Sequence, residues 1–234
     1  ELNLTYQAGV KDINDTVREM GYPSFSGGMA AVPFDSYSDF LRGTILSLQD
    51  LYDHEEEVEK YIEETFEQTL HMIRMMGSNP ANKGKHVFMA LHKGMDGFMS
   101  DEHYRHFYWR HLQKIIETII DVDMVHYIYT EGKYNSRLDC LTEVPVGKVF
   151  YHFETVDMAL AKSKLKDIAC IAGGFSTNLL QFGTPEQVKD EVKRLLDVCA
   201  PGGGFIFETT SALSHVKREN VEAMFDTVKT YGKY

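Results

Sequence analysis

The chain has 234 residues, of which 43% are hydrophobic, enough apolar material for one large core or two small ones. Lys and Arg number 24 against 35 Asp and Glu, a formal charge of -11 with no basic cluster, which makes nucleic acid and anionic membranes poor partners. No apolar run approaches the roughly 18 to 20 residues of a membrane span, and the three separated cysteines, Cys140, Cys170 and Cys199, read as buried reduced thiols of a cytoplasmic protein.

Residues 1–7 lack a signal-peptide pattern, and the first residue is Glu1 rather than Met, so a processed piece or a fragment of a longer protein is an open reading. Residues 10–20 are weakly helical in spacing, and the GYPSFSGG stretch at 21–28 breaks the pattern. A strand near 28–32 then leads through Pro33 and Asp35 into a short helix ending at Gly43. In the long helix that follows, Val58, Ile62, Phe66, Leu70 and Ile73 share one face, and its start, Glu55 to Glu57, suits the helix dipole. After the turn SNPANKGK, residues 86–94 form a strand that stops at a glycine. Ser100 or Asp101 caps a helix running to about Ile120, whose Tyr104, His106, Phe107, Tyr108 and Trp109 read as packing residues. Residues 124–132, 148–154, 168–173 and 202–208 repeat the strand pattern, the last read as another buried strand. Between the final two, Thr184 caps a helix with Pro185 in its first turn and Gln187 closing the box, and a last helix carries Val221, Met224, Phe225 and Val228.

Five strands and a shorter sixth, each followed by a helix, give an α/β protein, either a doubly wound sheet or a (β/α)8 barrel. A dinucleotide-binding fold wants G-x-G-x-x-G directly after a strand, whereas Gly202 to Gly204 precede one, so the barrel is favoured although six units is two short of eight. Chemistry in such folds sits in the loops at the carboxyl ends of the strands.

The runs HKGMDGFMSDEHYRHFYW (92–109), YTEGKYNSRL (129–138) and HFETVDMALAK (152–162), followed by GTPEQV, GGGFIF and KRENVEAM, resemble in order and spacing the uroporphyrinogen decarboxylase superfamily. More narrowly they are similar to its branch of corrinoid-associated, O-demethylase-like methyltransferases, from about Phe34 onward. The resemblance implies a TIM barrel of that type lacking its first two βα units, with residues 1–234 as one domain of the C-terminal six. An open barrel exposes apolar strand edges, so the remainder is expected from another chain, a further segment, or pairing between two copies as a homodimer. The implied activity is transfer of a methyl group from a small-molecule methyl donor, a methoxyarene or a methylamine, to a separate corrinoid protein. A decarboxylase-like enzyme on a tetrapyrrole or other substrate and a non-catalytic barrel fragment are the alternatives.

Departures from the family narrow these readings. The aspartate and arginines with which the decarboxylases hold a porphyrinogen precede the matched region, and the histidine expected after the eighth strand falls on Thr210, so uroporphyrinogen decarboxylation is disfavoured. Zinc-dependent relatives carry His-x-Cys after the fifth strand and Cys after the eighth; here Tyr129, Glu131 and Thr210 stand there, and a zinc site would have to draw on Glu131 and His152.

Glu131, at a strand end beside Gly132, is the best candidate for an acid that protonates a leaving alkoxide or phenoxide, unless it caps the turn or pairs with Lys133 or Arg137. His152 and Glu154 end the next strand, share a face by alternation, and complete the catalytic set, while Asp157 reads as a helix N-terminal residue. His92, Lys93 and Asp96 lie in a Gly- and Met-rich loop able to close over an apolar ligand with Met95, Phe98 and Met99. Tyr129, Asn135, Gly174, Asn178, Glu208 and Thr210 complete the expected substrate-binding ring.

Overall fold

In a computed structural model that describes residues 2–22 and 26–233, the chain alternates strands and helices as expected. The N-terminal helix α1 (Leu2–Glu19) is longer than its weak periodicity suggested. Strand β1 (Ser26–Met29) lies slightly earlier than anticipated; Val32 is buried ahead of Pro33, which fixes the first turn of α2 (Pro33–Ser36). α2 runs into a π-helical turn (Tyr37–Arg42) that Gly43 ends, and α3 (Thr44–Asp53) and α4 (Glu55–Gly77) follow. Strand β2 (His86–Leu91) is followed by α5 (Asp101–His103), whose N-cap Ser100 accepts from the His103 amide. A second π-helical turn (Tyr104–Trp109) joins α5 to α6 (Arg110–Asp121), and Tyr104, Phe107, Tyr108 and Trp109 are all buried in it, the packing role expected of them.

The remaining units are β3 (Val125–Lys133) with α7 (Leu138–Leu141), β4 (Val149–Thr155) with α8 (Met158–Leu165), and β5 (Cys170–Gly173) with α9 (Thr177–Phe182) and α10 (Pro185–Cys199). β6 (Phe205–Ile206) and α11 (Arg218–Tyr231) close the series. The capping box of Thr184 and Gln187 forms as read. Asp157 is the N-cap of α8, accepting from Ala159 and Leu160 amides, which absorbs it structurally.

All six strands are parallel and lie in the order β1 to β6, so each βα unit adds one strand beside the last. Among the described residues β1 pairs only with β2 and β6 only with β5, leaving the barrel open between them. The apolar edges anticipated for an open barrel are present: Met29 is 68% and Ile206 46% exposed. β6 is accordingly a two-residue edge strand and not the buried strand expected over 202–208. The core lies between the outer face of the sheet and the helices, where Ile62 and Ile73 of α4 and Leu112, Ile115, Ile116 and Ile119 of α6 are buried, each worth roughly 1.5–3 kcal/mol when fully removed from water. The cysteines are free thiols, two of them buried, and burial pushes Cys199 up to about 11, leaving it inert.

His126 is an exception in that core. It points outward from β3, is fully buried, and neither ring nitrogen has a partner, so desolvation pushes it down to about 3. The unfolded chain takes up this proton near 6.5 while the folded chain refuses it until about 3, so stability is intact above 6.5 and is lost progressively as the pH falls between those values. His126→Leu is expected to raise stability at pH 7 by about 1–3 kcal/mol by removing two unsatisfied polar atoms. The advantage over the parent should widen towards pH 4 in urea titrations.

Candidate active site

The expected residues gather on the concave face and at its carboxyl rim, because successive inward positions of a strand are two residues apart. Tyr127, Tyr129 and Glu131 rise along β3, and His152 and Glu154 along β4, with Tyr129 registered against His152.

At the rim, the chain leaving β2 is held by Asp35, which is buried and accepts from the amides of His92 at 3.1 Å and Lys93 at 2.9 Å and from the Tyr108 hydroxyl at 2.6 Å. Burial outweighs these three donors and pushes the Asp35 carboxyl up to about 6. Asp39, on the π-helical turn, accepts from Lys93 Nζ at 2.7 Å and is hydrogen-bonded to His92 Nδ1. Burial opposes ionisation of Asp39, but the Lys93 and His92 hydrogen bonds prevail and hold it below the usual carboxylate range. Burial likewise opposes the charged His92 ring, yet Asp39, with Asp35 and Glu131 nearby, raises His92 above its ordinary value. His92 Nε2 stands 3.8 Å from Glu131 Oε1. That is too far for a direct hydrogen bond and leaves a narrow notch between the two groups.

The loop after β2 is pinned, and this corrects the expectation that it closes over an apolar ligand. Asp96 accepts from the Ser136 hydroxyl at 2.8 Å, and its amide donates to the Lys133 carbonyl at 2.7 Å. Arg137 donates to the carbonyls of Gly94 at 3.3 Å and Met99 at 2.8 Å, so it is committed there and is no partner of Glu131. Met99 is buried, Phe98 packs edge-on against Phe34, and Met95 lies over Gly132, so the apolar side chains of this loop serve the core. Asn135 accepts from the Asp157 amide at 2.8 Å, joining the next two loops.

Deeper on the concave face, His152 is buried between Tyr127 and Tyr129. Its Nε2 lies 2.8 Å from the Thr209 carbonyl and its Nδ1 2.8 Å from the Tyr127 hydroxyl. The carbonyl can only accept, so Nε2 carries a proton, and Nδ1 is hydrogen-bonded to the Tyr127 hydroxyl. Gly173 permits this placement, since with φ near 90° a Cβ there would fall 2.8 Å from the His152 ring and 2.3 Å from the Phe153 carbonyl oxygen. Tyr129 donates to the Thr210 carbonyl at 2.8 Å, a strut from β3 across to the segment after β6. The Thr210 hydroxyl receives the Thr177 amide at 3.4 Å.

A third group lines a polar cavity of about 510 Å³ beyond β4 and β5, where Glu154, Gly174, Asn178 and Thr210 meet Ser176 and Ser211. Glu154 also accepts from the Gly132 amide at 2.6 Å, which ties the end of β3 to β4.

These residues do not fit a zinc site. Both His152 nitrogens are engaged, Tyr129 and Thr210 are bonded to one another, and among the described residues no group of three or more metal-ligating side chains converges, with Glu131 and His152 in separate groups. Two participants escaped the sequence reading. Tyr127 was legible, being two residues before Tyr129 on the same face, whereas Asp39 was not, because a π-helical turn shifts side chains off the 3.6-residue spacing.

Among the described residues no helix is long and apolar enough to cross a membrane. A uroporphyrinogen decarboxylase from Azoarcus sp. (strain BH72) is 25% identical over 142 residues, covering 58% of this chain and 39% of the relative. A solved methyltransferase from Methanosarcina mazei superposes with a TM-score of 0.68 at 18% identity, covering 88% of this chain and 58% of that one; at this identity the likeness concerns the fold alone. The chain thus spans less than two thirds of either protein. The family model for uroporphyrinogen decarboxylase (URO-D) matches residues 11–231, and with six parallel strands of a (β/α)8-type barrel carrying that match, the chain belongs to the uroporphyrinogen decarboxylase family.

Proposed function

We propose that this chain acts as one barrel domain of a methyltransferase that passes a methyl group from a methylated small molecule, a methoxyarene or a methylamine, to a corrinoid protein. The observation that carries the reading is the 3.8 Å notch between His92 Nε2 and Glu131 Oε1 at the open carboxyl rim. A methyl ether is a poor methyl donor because its leaving oxygen departs as an anion, and a proton supplied at that oxygen lowers the barrier. With the ether oxygen in the notch, the carbon–oxygen bond breaks as the methyl group passes to the acceptor, and the oxygen takes the proton of His92 Nε2. Asp39 holds the ring by Nδ1, and the nearby Glu131 carboxylate helps keep the ring charged and able to donate. When bound, the reduced corrinoid of the partner supplies the nucleophile, and in this reading it is the second substrate. Glu154, Gly174 and Asn178 in the adjoining polar cavity would seat the remaining polar groups of the donor.

Reconstitution with a corrinoid protein, a reductant and a panel of methoxyarenes and methylamines tests this. A change in cobalt absorbance that depends on donor and chain together is the expected result. An unchanged spectrum across the panel, with the chain folded, would overturn it; carbon dioxide release from a carboxylated substrate would favour a decarboxylase instead.

A further inference from the structure

The loop after β2 is gripped twice by one short stretch of chain. Asp35 takes the amides of His92 and Lys93, one with each oxygen, while Asp39 takes their side chains, Oδ2 meeting His92 Nδ1 and Oδ1 meeting Lys93 Nζ at 2.7 Å. Residues four apart on a helix share a face, so α2 running into the π-helical turn presents both carboxylates to the same dipeptide. Two successive amides converging on one anion form a nest, and here the chain itself supplies the anion. The Tyr108 hydroxyl donates to Asp35 as well, which ties the second π-helical turn to this junction.

Lys93 falls in the expected substrate-binding set, yet its side chain is only 13% exposed and its ammonium is spent on Asp39. Asp39 is therefore divided between two cations whenever the ring is charged. The charged groups facing the His92 ring are Asp35 and Asp39 from the helix and turn, Glu131 from β3, and Lys93 from its own loop. The three carboxylates favour a charged ring. Lys93 opposes it, by its own charge and by taking up one oxygen of Asp39.

We propose that Asp35 and Lys93 are positioning residues of the rim proton donor: Asp35 fixes the backbone from which His92 and Lys93 both reach Asp39, and Lys93 competes with His92 for the Asp39 carboxylate instead of meeting substrate. This rests on the reading of His92 as the proton donor, but it is tested on the ring itself, without corrinoid or methyl donor, so the two can fail separately.

The test is an NMR titration of the His92 ring in the full chain, with His92→Gln identifying its resonance among the 10 histidines. The parent ring should titrate above the ordinary 6.5. Lys93→Met should move that inflection further up by about one pH unit, because Asp39 is then left to His92 alone, and Lys93→Gln should act in the same sense. A merely structural role for Lys93, as a brace for Asp39, predicts the opposite sign, since the ring would lose its partner and titrate lower. Asp35→Asn should move the inflection down by about one pH unit, because the amide removes a charge and turns a donor towards one of the two backbone N–H groups. The Lys93 variants keep the test available if Asp35→Asn fails to fold. An inflection in folded Lys93→Met at or below that of the parent, or one unmoved in folded Asp35→Asn, would overturn the proposal.

Discussion

Arg137→Ala should destabilise the chain by about 3–5 kcal/mol, the largest effect expected of a single surface-to-core contact in this fold. Arg137 is only 2% exposed and donates to the Gly94 and Met99 carbonyls, while its guanidinium lies 4.2 Å from the centre of the Tyr104 ring. Truncation leaves a cavity and strips both carbonyls of this donor. Its ion pair with Asp101 contributes little, because the Asp101 side chain is 86% exposed and water can replace the arginine. Asp101→Asn should therefore cost no more than about 1 kcal/mol. Arg137→Lys should recover only part of the loss, since an ammonium cannot stack on Tyr104 and reach both carbonyls as a planar fork does. Urea denaturation of the three variants checks this, and a large effect of Asp101→Asn would place the energy in the ion pair instead. The loop that Arg137 pins also carries His92, so the same variant should lose activity at temperatures where it remains folded.

The second large effect falls on His92. With a methoxyarene donor, His92→Gln should slow single-turnover methyl transfer by about 10²–10⁴-fold, the usual contribution of a positioned proton donor. The sign of the pH dependence follows from the raised value of His92, which burial opposes but Asp39, Asp35 and Glu131 enforce. The ring is charged and able to donate at low pH, and the rate should fall as the pH rises through a value above the ordinary 6.5. Stability shifts in the same sense: the contribution of charged His92 is complete below 6.5 and is lost as the pH rises through the folded value. Asp39→Asn should move the inflection of the rate profile downward with little change in KM for the donor, because Asp39 acts through the ring. A profile unmoved by Asp39→Asn would remove His92 from the proton-donor role.

The helices and strands were readable because their signals are local. The Thr184–Gln187 capping box forms as read, Ser100 of the pair Ser100 and Asp101 is the cap, and Asp157, read as a helix N-terminal residue, is the N-cap of α8; each device joins residues two or three positions apart. The inward set of Tyr129, Glu131, His152 and Glu154 follows from period-two alternation within single strands. Where a signal was composition alone, as in the Gly- and Met-rich loop at 92–100 read as able to close over an apolar ligand, the sequence did not show that Asp35, Asp96 and Arg137 fasten it.

The sequence by itself determined that this is a βα-repeat protein of the uroporphyrinogen decarboxylase type. Only the tertiary structure decided what the site residues do. Asp39 reaches His92 across 53 positions of chain, Tyr129 reaches Thr210 across 81, and His152 reaches Thr209 across 57. Tyr127 likewise meets His152 and Glu208 across 25 and 81 positions of chain. Such choices are set by closure of the sheet into a curve, which brings β3, β4 and the segment after β6 around one lumen, and no spacing along the chain encodes them.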